Sequence, residues 1–435
     1  MYKGDFIFHP IGQGCFYTGE LFNDKERVFS FVYDCGTNSE QSYLGDAIAG
    51  WPVKTAEEKM INVCIISHFH RDHVSGIPQL LKDIRCDRLV IPYYDPFQRL
   101  MVYLRSDSDD DEYRRMMQDP YAYFSGEGFN IGQIIVVLGG GTATNLQERI
   151  PIAPVPKEDR SFDTEQAELT KAGNEHYRDD DGQDEYLNQQ FFAQLKSEDE
   201  SISSERVTVR HLPYQLRTPF YKFLFYTLSE EDGSDADLKL KTAALRKAVD
   251  DHLDNARRDA SSGVKTFQDL FNAKQIKEIA RIYKRIFGAA KLNGTSLAVF
   301  HRFAMDPGGY EIFQRHHFGL RHLYRVDRKH ATLMTGDLEL NTSEKLKLFQ
   351  DYYHAYLDEV AYFQVMHHGS DKNWPFGIPE SKLHTFPAYV INHGAGRKHH
   401  PGPEVTKLLR SVNPHHTLLN NELTLFSYTI FYGYR

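Results

Sequence analysis

The run Ser67-His68-Phe69-His70-Arg71-Asp72-His73 places three histidines and an aspartate within six positions, directly after the apolar run Val63-Cys64-Ile65-Ile66. Neutral imidazoles and a carboxylate at this spacing suit Zn²⁺, Mn²⁺ or Fe²⁺, and an aspartate beside a histidine suits two neighbouring ions that share a water. The chain holds 21 histidines, so an isolated one says little, and it is the spacing that points to a metal centre. Two such ions would bring the pKa of a shared water to about 7 and polarise the bond to be broken, which is the chemistry of hydrolysis. A phosphodiester, a lactam, a lactone and a thioester are all open to it, and the motif does not select among them.

A loop at the end of a strand is where α/β proteins build their sites, and the surrounding pattern supplies such strands. Phe6 to Phe8, Phe29 to Tyr33, Val63 to Ile66 and Leu89 to Pro92 are short apolar runs between turn signals, and Gly76 to Ile84 has helical spacing. Leu297 to Phe300, Ala331 to Met334, Val360 to Met366 and Ala388 to Ile391 read as strands toward the other end. The fold class is therefore α/β, in one elaborated domain. Residues 1–100 and 291–435 are expected to form the catalytic core. Residues 101–290 are expected to be a partly helical insertion that also lends the core some strands, Ile134 to Leu138 and Tyr221 to Tyr226 being the best candidates. Leu245, Val249 and Leu253 recur at helical spacing, as do Ile276, Ile279, Tyr283 and Ile286. Asp107 to Glu112, Pro151 to Pro156, Asp179 to Glu185 and Ser197 to Ser204 read as loops or linkers.

His-x-His-x-Asp-His resembles the second motif of the metallo-β-lactamase-fold hydrolases, and other pieces follow in that family's order. Phe31-Val32-Tyr33-Asp34-Cys35-Gly36 resembles the first motif, Thr335-Gly336-Asp337 the fourth, and Gln364-Val365-Met366-His367-His368-Gly369-Ser370 the fifth. The resemblance implies an αββα sandwich and two divalent ions, Zn²⁺ or Mn²⁺. It implies that Asp34 supports the ligands from behind and that Asp337 bridges both ions. His68 and His70 would hold one ion with Asp337, while Asp72, His73 and either His367 or His368 would hold the second. The third motif's histidine should fall near Lys291 to Asn293 and is not there, so one ion position is expected to be the weaker. Finer detail (Ile11-Gly12-Gln13-Gly14, Asn293-Gly294-Thr295-Ser296-Leu297, His367-His368-Gly369-Ser370 and His400-Pro401-Gly402-Pro403-Glu404-Val405) resembles the hydrolase domain attached to the DNA-uptake channel ComEC and its standalone relatives, and implies a nuclease.

For a phosphodiester substrate, His368, Ser370, Arg397, Lys398 and His400 are residue types suited to phosphate, and His400 is the candidate to protonate the leaving oxygen. Asp72, Asp34 and His400 are thus the residues expected to carry the reaction. His301, His316 and His317 read as structural. The face of Lys274, Lys277, Arg281, Lys284 and Arg285 could approach a nucleic-acid backbone, and Tyr93, Tyr94 and Phe97 could stack on bases or pack in the core. The net charge of −9 disfavours binding a polyanion over the whole surface but leaves room for a local basic groove. Asp107 to Glu112 has Glu112 where a calcium loop needs glycine, and Gly139-Gly140-Gly141-Thr142 lacks the Gly-Lys-Ser/Thr of a phosphate loop. Cys15, Cys35, Cys64 and Cys86 form no Cys-x-x-Cys pair and read as buried thiols. No apolar stretch reaches the ~20 residues of a membrane span, and the start Met-Tyr-Lys-Gly-Asp has no secretory pattern, so a cytoplasmic protein is expected. Two other functions stay open: hydrolysis of a small ester, lactone or lactam, and an effector module of a multi-protein system, defence systems included, that a regulatory partner controls through the insertion.

Overall fold

In the computed structural model the described residues are 1–55, 59–106, 108–126, 128–139, 178–179, 206–212, 214–228, 236–287, 296–304, 310–316, 324–326, 329–378, 383 and 385–434. Pro151 to Pro156, Ser197 to Ser204, Lys291 to Asn293, His317 and most of Asp179 to Glu185 lie outside them.

Among the described residues, two sheets form the body. The first has ten strands in the order β13 (Tyr324–Val326), β12 (Tyr310–His316), β18 (Phe426–Tyr434), β1 (Tyr2–Phe8), β2 (Gly14–Asn23), β3 (Glu26–Thr37), β4 (Met60–Ile65), β5 (Arg85–Pro92), β6 (Asn130–Leu138) and β8 (Val207–His211). The second has eight: β17 (Thr417–Asn420), β16 (Ala388–Asn392), β15 (Val360–Gln364), β14 (Ala331–Met334), β11 (Ala298–Phe303), β10 (Tyr221–Tyr226), β9 (Tyr214–Arg217) and β7 (Arg178–Asp179). In each sheet one half is parallel, from β3 to β8 and from β14 to β17, and the other half is antiparallel. The sequence explains the difference. Parallel strands are covered on both faces and read as continuous apolar runs, as in β14 and β16, whereas β1 alternates buried and half-buried residues.

An inner apolar layer draws Phe6, Phe31, Val63 and Ile135 from the first sheet and Phe223, Val299, Met334 and Val390 from the second. On the outer face of the first sheet lie α1 (Gln41–Gly50), α2 (Pro52–Thr55), α3 (Arg71–Val74), α4 (Ile77–Leu81), α5 (Pro96–Ser106), α6 (Asp111–Gln118), α7 (Pro120–Ser125), α8 (Ala236–Arg258) and α9 (Ala273–Phe287). The outer face of the second carries α10 (Ser343–Tyr352) and α11 (Pro403–Val412). The architecture is the αββα sandwich expected of the metallo-β-lactamase fold.

Ile134 to Leu138 and Tyr221 to Tyr226 are strands, one in each sheet, and the two helical repeats are α8 and α9. Asp110, in the acidic cluster, caps α6 by accepting from the backbone N–H groups of Glu112 and Tyr113. Tyr93, Tyr94 and Phe97 are buried in the outer core, which removes base stacking from their open roles. The basic face of α9 is exposed, with Arg281 paired to Glu278 at 2.6 Å. All four cysteines are buried and free. His301 is buried between the sheets, where its Nε2 meets the Tyr17 hydroxyl at 3.1 Å, and burial lowers its pKa to about 3. His316 bonds the Tyr362 hydroxyl, so both packed histidines serve the core. No helix among the described residues is long and apolar enough to cross a membrane.

Candidate metal centre

The parallel halves of the two sheets bring their C-terminal strand ends together. Asp34 stands near the end of β3, His68 and His70 follow β4, Asp337 follows β14, His367 and His368 follow β15, and His393 follows β16. Two bonds stitch the sheets here: the Leu297 N–H donates to the Ser67 carbonyl at 2.7 Å, and the Tyr33 hydroxyl donates to the Leu297 carbonyl at 3.0 Å.

Two glycines let the ligand loops approach. A Cβ at Gly36 would lie 2.5 Å from the Val74 nitrogen and 2.6 Å from the His73 carbonyl carbon, so only glycine lets α3 lie against β3. Gly336 turns at φ +52 between Thr335 and Asp337, and a Cβ there would lie 3.0 Å from the Ser296 hydroxyl and 3.1 Å from Ser67. Three non-glycine residues of the site, Asp34, His367 and His368, also hold left-handed backbone, at φ 56, 46 and 55. Such conformations cost on the order of 1–3 kcal/mol each and persist where the surroundings over-determine them.

Four of the histidines share one arrangement: Nδ1 is tied to the protein and Nε2 turns toward the cluster. His73 Nδ1 meets Asp34 Oδ2 at 2.7 Å. Ser67 gives its one hydroxyl proton to Asp34, so it accepts from His68 Nδ1 at 2.9 Å. His368 Nδ1 donates to the Asn392 carbonyl at 3.0 Å. Asn373 donates its amide N–H to the Leu338 carbonyl, which leaves its oxygen to accept from His367 Nδ1 at 2.9 Å. Fixing one ring nitrogen in this way sets the tautomer and aims the other at a metal.

The freed nitrogens converge on Asp337. Its Oδ2 lies 3.5 Å from His68 Nε2 and 3.6 Å from His367 Nε2. Its Oδ1 lies 3.3 Å from His73 Nε2 and 3.9 Å from His368 Nε2, and Asp72 Oδ2 stands 3.2 Å from His368 Nε2. One carboxylate thus faces two nests. His68 Nε2, His73 Nε2 and Asp337 Oδ1 are buried without a hydrogen bond. Orphaned ligand atoms this deep are costly unless something takes them, and a divalent cation fits the donor set. Among the described residues, His68, His73 and Asp337 form one group with metal-ligand spacing, and Asp72, His73 and His368 form another.

Neither group includes His70 or His367. His70 stands just before α3, half-buried, with its ring edge-on to His68 at 4.7 Å. Both His367 and His368 point at the cluster, one toward each nest. Ser370 is buried, and its hydroxyl accepts from the Lys372 N–H. Arg397 is exposed and donates to the Asn38 carbonyl at 2.6 Å, and Lys398 is exposed beside it. The His400 ring lies 5.3 Å from that of His367 and 5.8 Å from that of His368.

Electrostatics follow from burial and neighbours. Burial, then His73, lowers the His68 pKa, and burial, His68 and Arg105 hold His70 well below the ordinary imidazole range. Burial also disfavours a charged His73, yet Asp34 and Asp337 outweigh it and raise its pKa well above 6.5. Burial would raise the Asp337 carboxyl, but His367, His73 and His68 reverse that and hold it well below 3.8. Burial, with His368 and His367, lowers His400 to about 4. His400 is therefore a neutral imidazole at pH 7, able to offer a hydrogen bond but not the imidazolium expected of a proton donor.

Several supporting residues escape a sequence reading. Ser67 lies inside the motif run, yet only the fold shows it linking Asp34 to His68. Ser296 accepts from the Asp337 N–H, and the Gln364 side chain accepts from the N–H groups of Thr335 and Gly336. Asn373 holds both His367 and the turn after Asp337. Amides and hydroxyls are common at strand ends and carry no distinctive spacing.

No family model and no curated protein matches the chain. Among solved structures it is similar to a long-form RNase Z from yeast, at 9% identity and a TM-score of 0.30, over 83% of this chain and 32% of that one. The chain thus spans about a third of that protein's length.

Proposed function

We propose that the chain is a metal-dependent hydrolase of phosphodiester bonds, a nuclease of the ComEC-like kind. The observation that carries the metal reading is the set of buried Nε2 atoms of His68 and His73 left without hydrogen bonds around an Asp337 oxygen in the same condition. One nest would be held by His68, His367 and Asp337, with His70 at its edge, and the other by Asp72, His73, His368 and Asp337. Two divalent ions held there would supply Lewis acidity for the scissile group and a water with a pKa near 7.

The chain's own residues do the positioning. Asp34 accepts from the Ser67 N–H and hydroxyl and from His73, which locks the first wall of the site before anything binds. Gln364 and Asn373 do the same for the turn carrying Asp337 and for His367. His400, beside His367 and His368, offers a neutral N–H to an oxygen of the substrate. The His-His-Gly-Ser and His-Pro segments favour a phosphodiester over an ester or lactam. Arg397 and Lys398 follow in the same exposed loop as candidate contacts for the rest of a nucleic-acid strand.

The test is hydrolysis by Zn²⁺- or Mn²⁺-loaded protein of bis-p-nitrophenyl phosphate, single-stranded DNA and RNA, against a lactone and nitrocefin. Turnover of phosphodiesters that Asp72→Ala and Asp337→Ala abolish supports the proposal. Turnover of lactone or nitrocefin alone contradicts it.

A further inference from the structure

Cys15, at the start of β2, reads in the sequence as one more buried thiol, and nothing in the chemistry above uses it. It is fully buried, and two side-chain amides from the other sheet close on its sulfur, Gln364 Nε2 at 3.5 Å and Asn392 Nδ2 at 3.6 Å. Their oxygens fix which way both amides face. Gln364 Oε1 accepts from the Thr335 and Gly336 N–H groups at 3.0 and 3.1 Å, and Asn392 Oδ1 accepts from Asn420 Nδ2 at 3.1 Å. The thiol's own hydrogen is directed to the Tyr33 carbonyl, 4.0 Å away, so the sulfur is the acceptor for both amides. Among the described residues neither amide nitrogen reaches another acceptor.

Each amide belongs to a residue that places a ligand. Gln364 holds the turn that ends in Asp337, and the Asn392 carbonyl accepts from His368 Nδ1 at 3.0 Å. Cys15 itself pairs with Gly36 in β3, the residue against which α3 rests with Asp72 and His73. One sulfur thus stands where the wall of Asp72 and His73 is tied to the wall of Asp337 and His368. It is not placed as a ligand: neither group with metal-ligand spacing among the described residues includes it, and burial, then Asp34 and Asp337, push its pKa well above 9.0 and keep it a thiol. A buried amide N–H without an acceptor is costly, so the position of the sulfur decides where these two amides rest. We propose that Cys15 is a positioning residue of the centre, setting Asp337 and His368 against Asp72 and His73 through the Gln364 and Asn392 amides. This rests on the metal-dependent part of the proposed function and holds for whichever bond is hydrolysed.

The experiment uses the full-length protein and three variants. Cys15→Ala removes the acceptor and leaves a space, Cys15→Val fills the space without an acceptor, and Cys15→Ser keeps an acceptor. Zn²⁺ affinity is measured by competition with a chelator, ligand geometry by the visible spectrum of the Co²⁺-loaded protein, and Tm and hydrogen exchange of the Thr335 and Gly336 amides on the metal-free protein. The expected result is Zn²⁺ affinity lower by roughly 10-fold in Cys15→Ala and Cys15→Val alike, the low end of what losing an outer supporting group costs. The loss should fall mainly on the nest of Asp72, His73 and His368, with an altered Co²⁺ spectrum and faster exchange of both amides. Cys15→Ser should recover most of the affinity, and Cys15→Val should recover Tm but not affinity. If Cys15→Val restores affinity together with Tm, the thiol only fills space and the inference is overturned. Unchanged affinity and Co²⁺ spectrum in Cys15→Ala and Cys15→Val would overturn it too, while metal binding by the wild type left the proposed function standing. A wild type that binds no metal would sink the metal-dependent reading, and this inference with it.

Discussion

The two walls of the candidate metal centre are built differently. The first sheet's wall is a short contiguous stretch backed by one carboxylate: Asp34 accepts from the Ser67 N–H, the Ser67 hydroxyl and His73 Nδ1 at 2.6, 2.7 and 2.7 Å. The second sheet's wall is collected from three strand ends and backed by neutral groups, the Asn373 amide, the Asn392 carbonyl and the Gln364 amide. A carboxylate behind a histidine raises its basicity as a ligand more than an amide does. The nest at Asp337 Oδ1 holds the Asp34-backed His73 and the charged Asp72, whereas the nest at Oδ2 holds His68 and His367, each backed by neutral groups. The contrast teaches that the two nests should differ in affinity, with the Oδ1 side the tighter.

The strongest way to break that contrast is Asp337→Ala, which removes the group common to both nests. Metal content should fall to near zero, and activity should fall by more than the roughly 100-fold typical of losing an outer supporting group. Next is Asp34→Asn, which should weaken the tighter nest by about 10- to 100-fold in metal affinity while the looser one changes little, as read by competition with a chelator. If instead the looser nest empties first, the assignment of strengths is reversed. Asn373→Ala should act on the other side, lowering occupancy of the His367 nest by roughly 10-fold. His70→Ala should have the smallest effect on metal content, because His70, unlike His367, has no ion pair with Asp337 among the described residues. A loss as large as that of His68→Ala would place His70 in the coordination sphere after all.

Acid and base also act in opposite directions on individual histidines of the metal-free protein. His400 has its pKa lowered from 6.5 to about 4, so its contribution to stability is present above 6.5 and lost as pH falls toward 4. Buried His9 and His301, each lowered to about 3, act on the same acid limb. His73 has its pKa raised, so its contribution is present below 6.5 and lost as pH rises through its raised value. Thermal unfolding against pH should therefore show a flatter acid limb in His400→Gln and a flatter alkaline limb in His73→Gln. Equal effects of the two variants on both limbs would contradict these opposite shifts.

The first wall was far more legible in the sequence than the second. His68, Asp72 and His73 stand within six positions after an apolar strand, so spacing alone reveals them. Asp34, Asp337 and His367 or His368 are single residues at separate strand ends, and only their order along the chain marks them. Strand positions were largely legible because parallel strands covered on both faces read as apolar runs, as in β4 and β14. What spacing could not reach is anything set by side-chain direction. Examples are the pairing of His367 with one Asp337 oxygen and His368 with the other, the turning of His70 against His68, and the neutral state of His400, which depends on burial beside two other histidines.

The most direct measurement is the metal content of the purified protein after loading with Zn²⁺ or Mn²⁺, wild type beside Asp337→Ala. Two nests sharing one carboxylate predict two ions per wild-type chain, one removed by chelator well before the other, and essentially none in the variant. A wild-type protein that stays metal-free under every loading condition, or an Asp337→Ala protein that keeps both ions, would contradict the account.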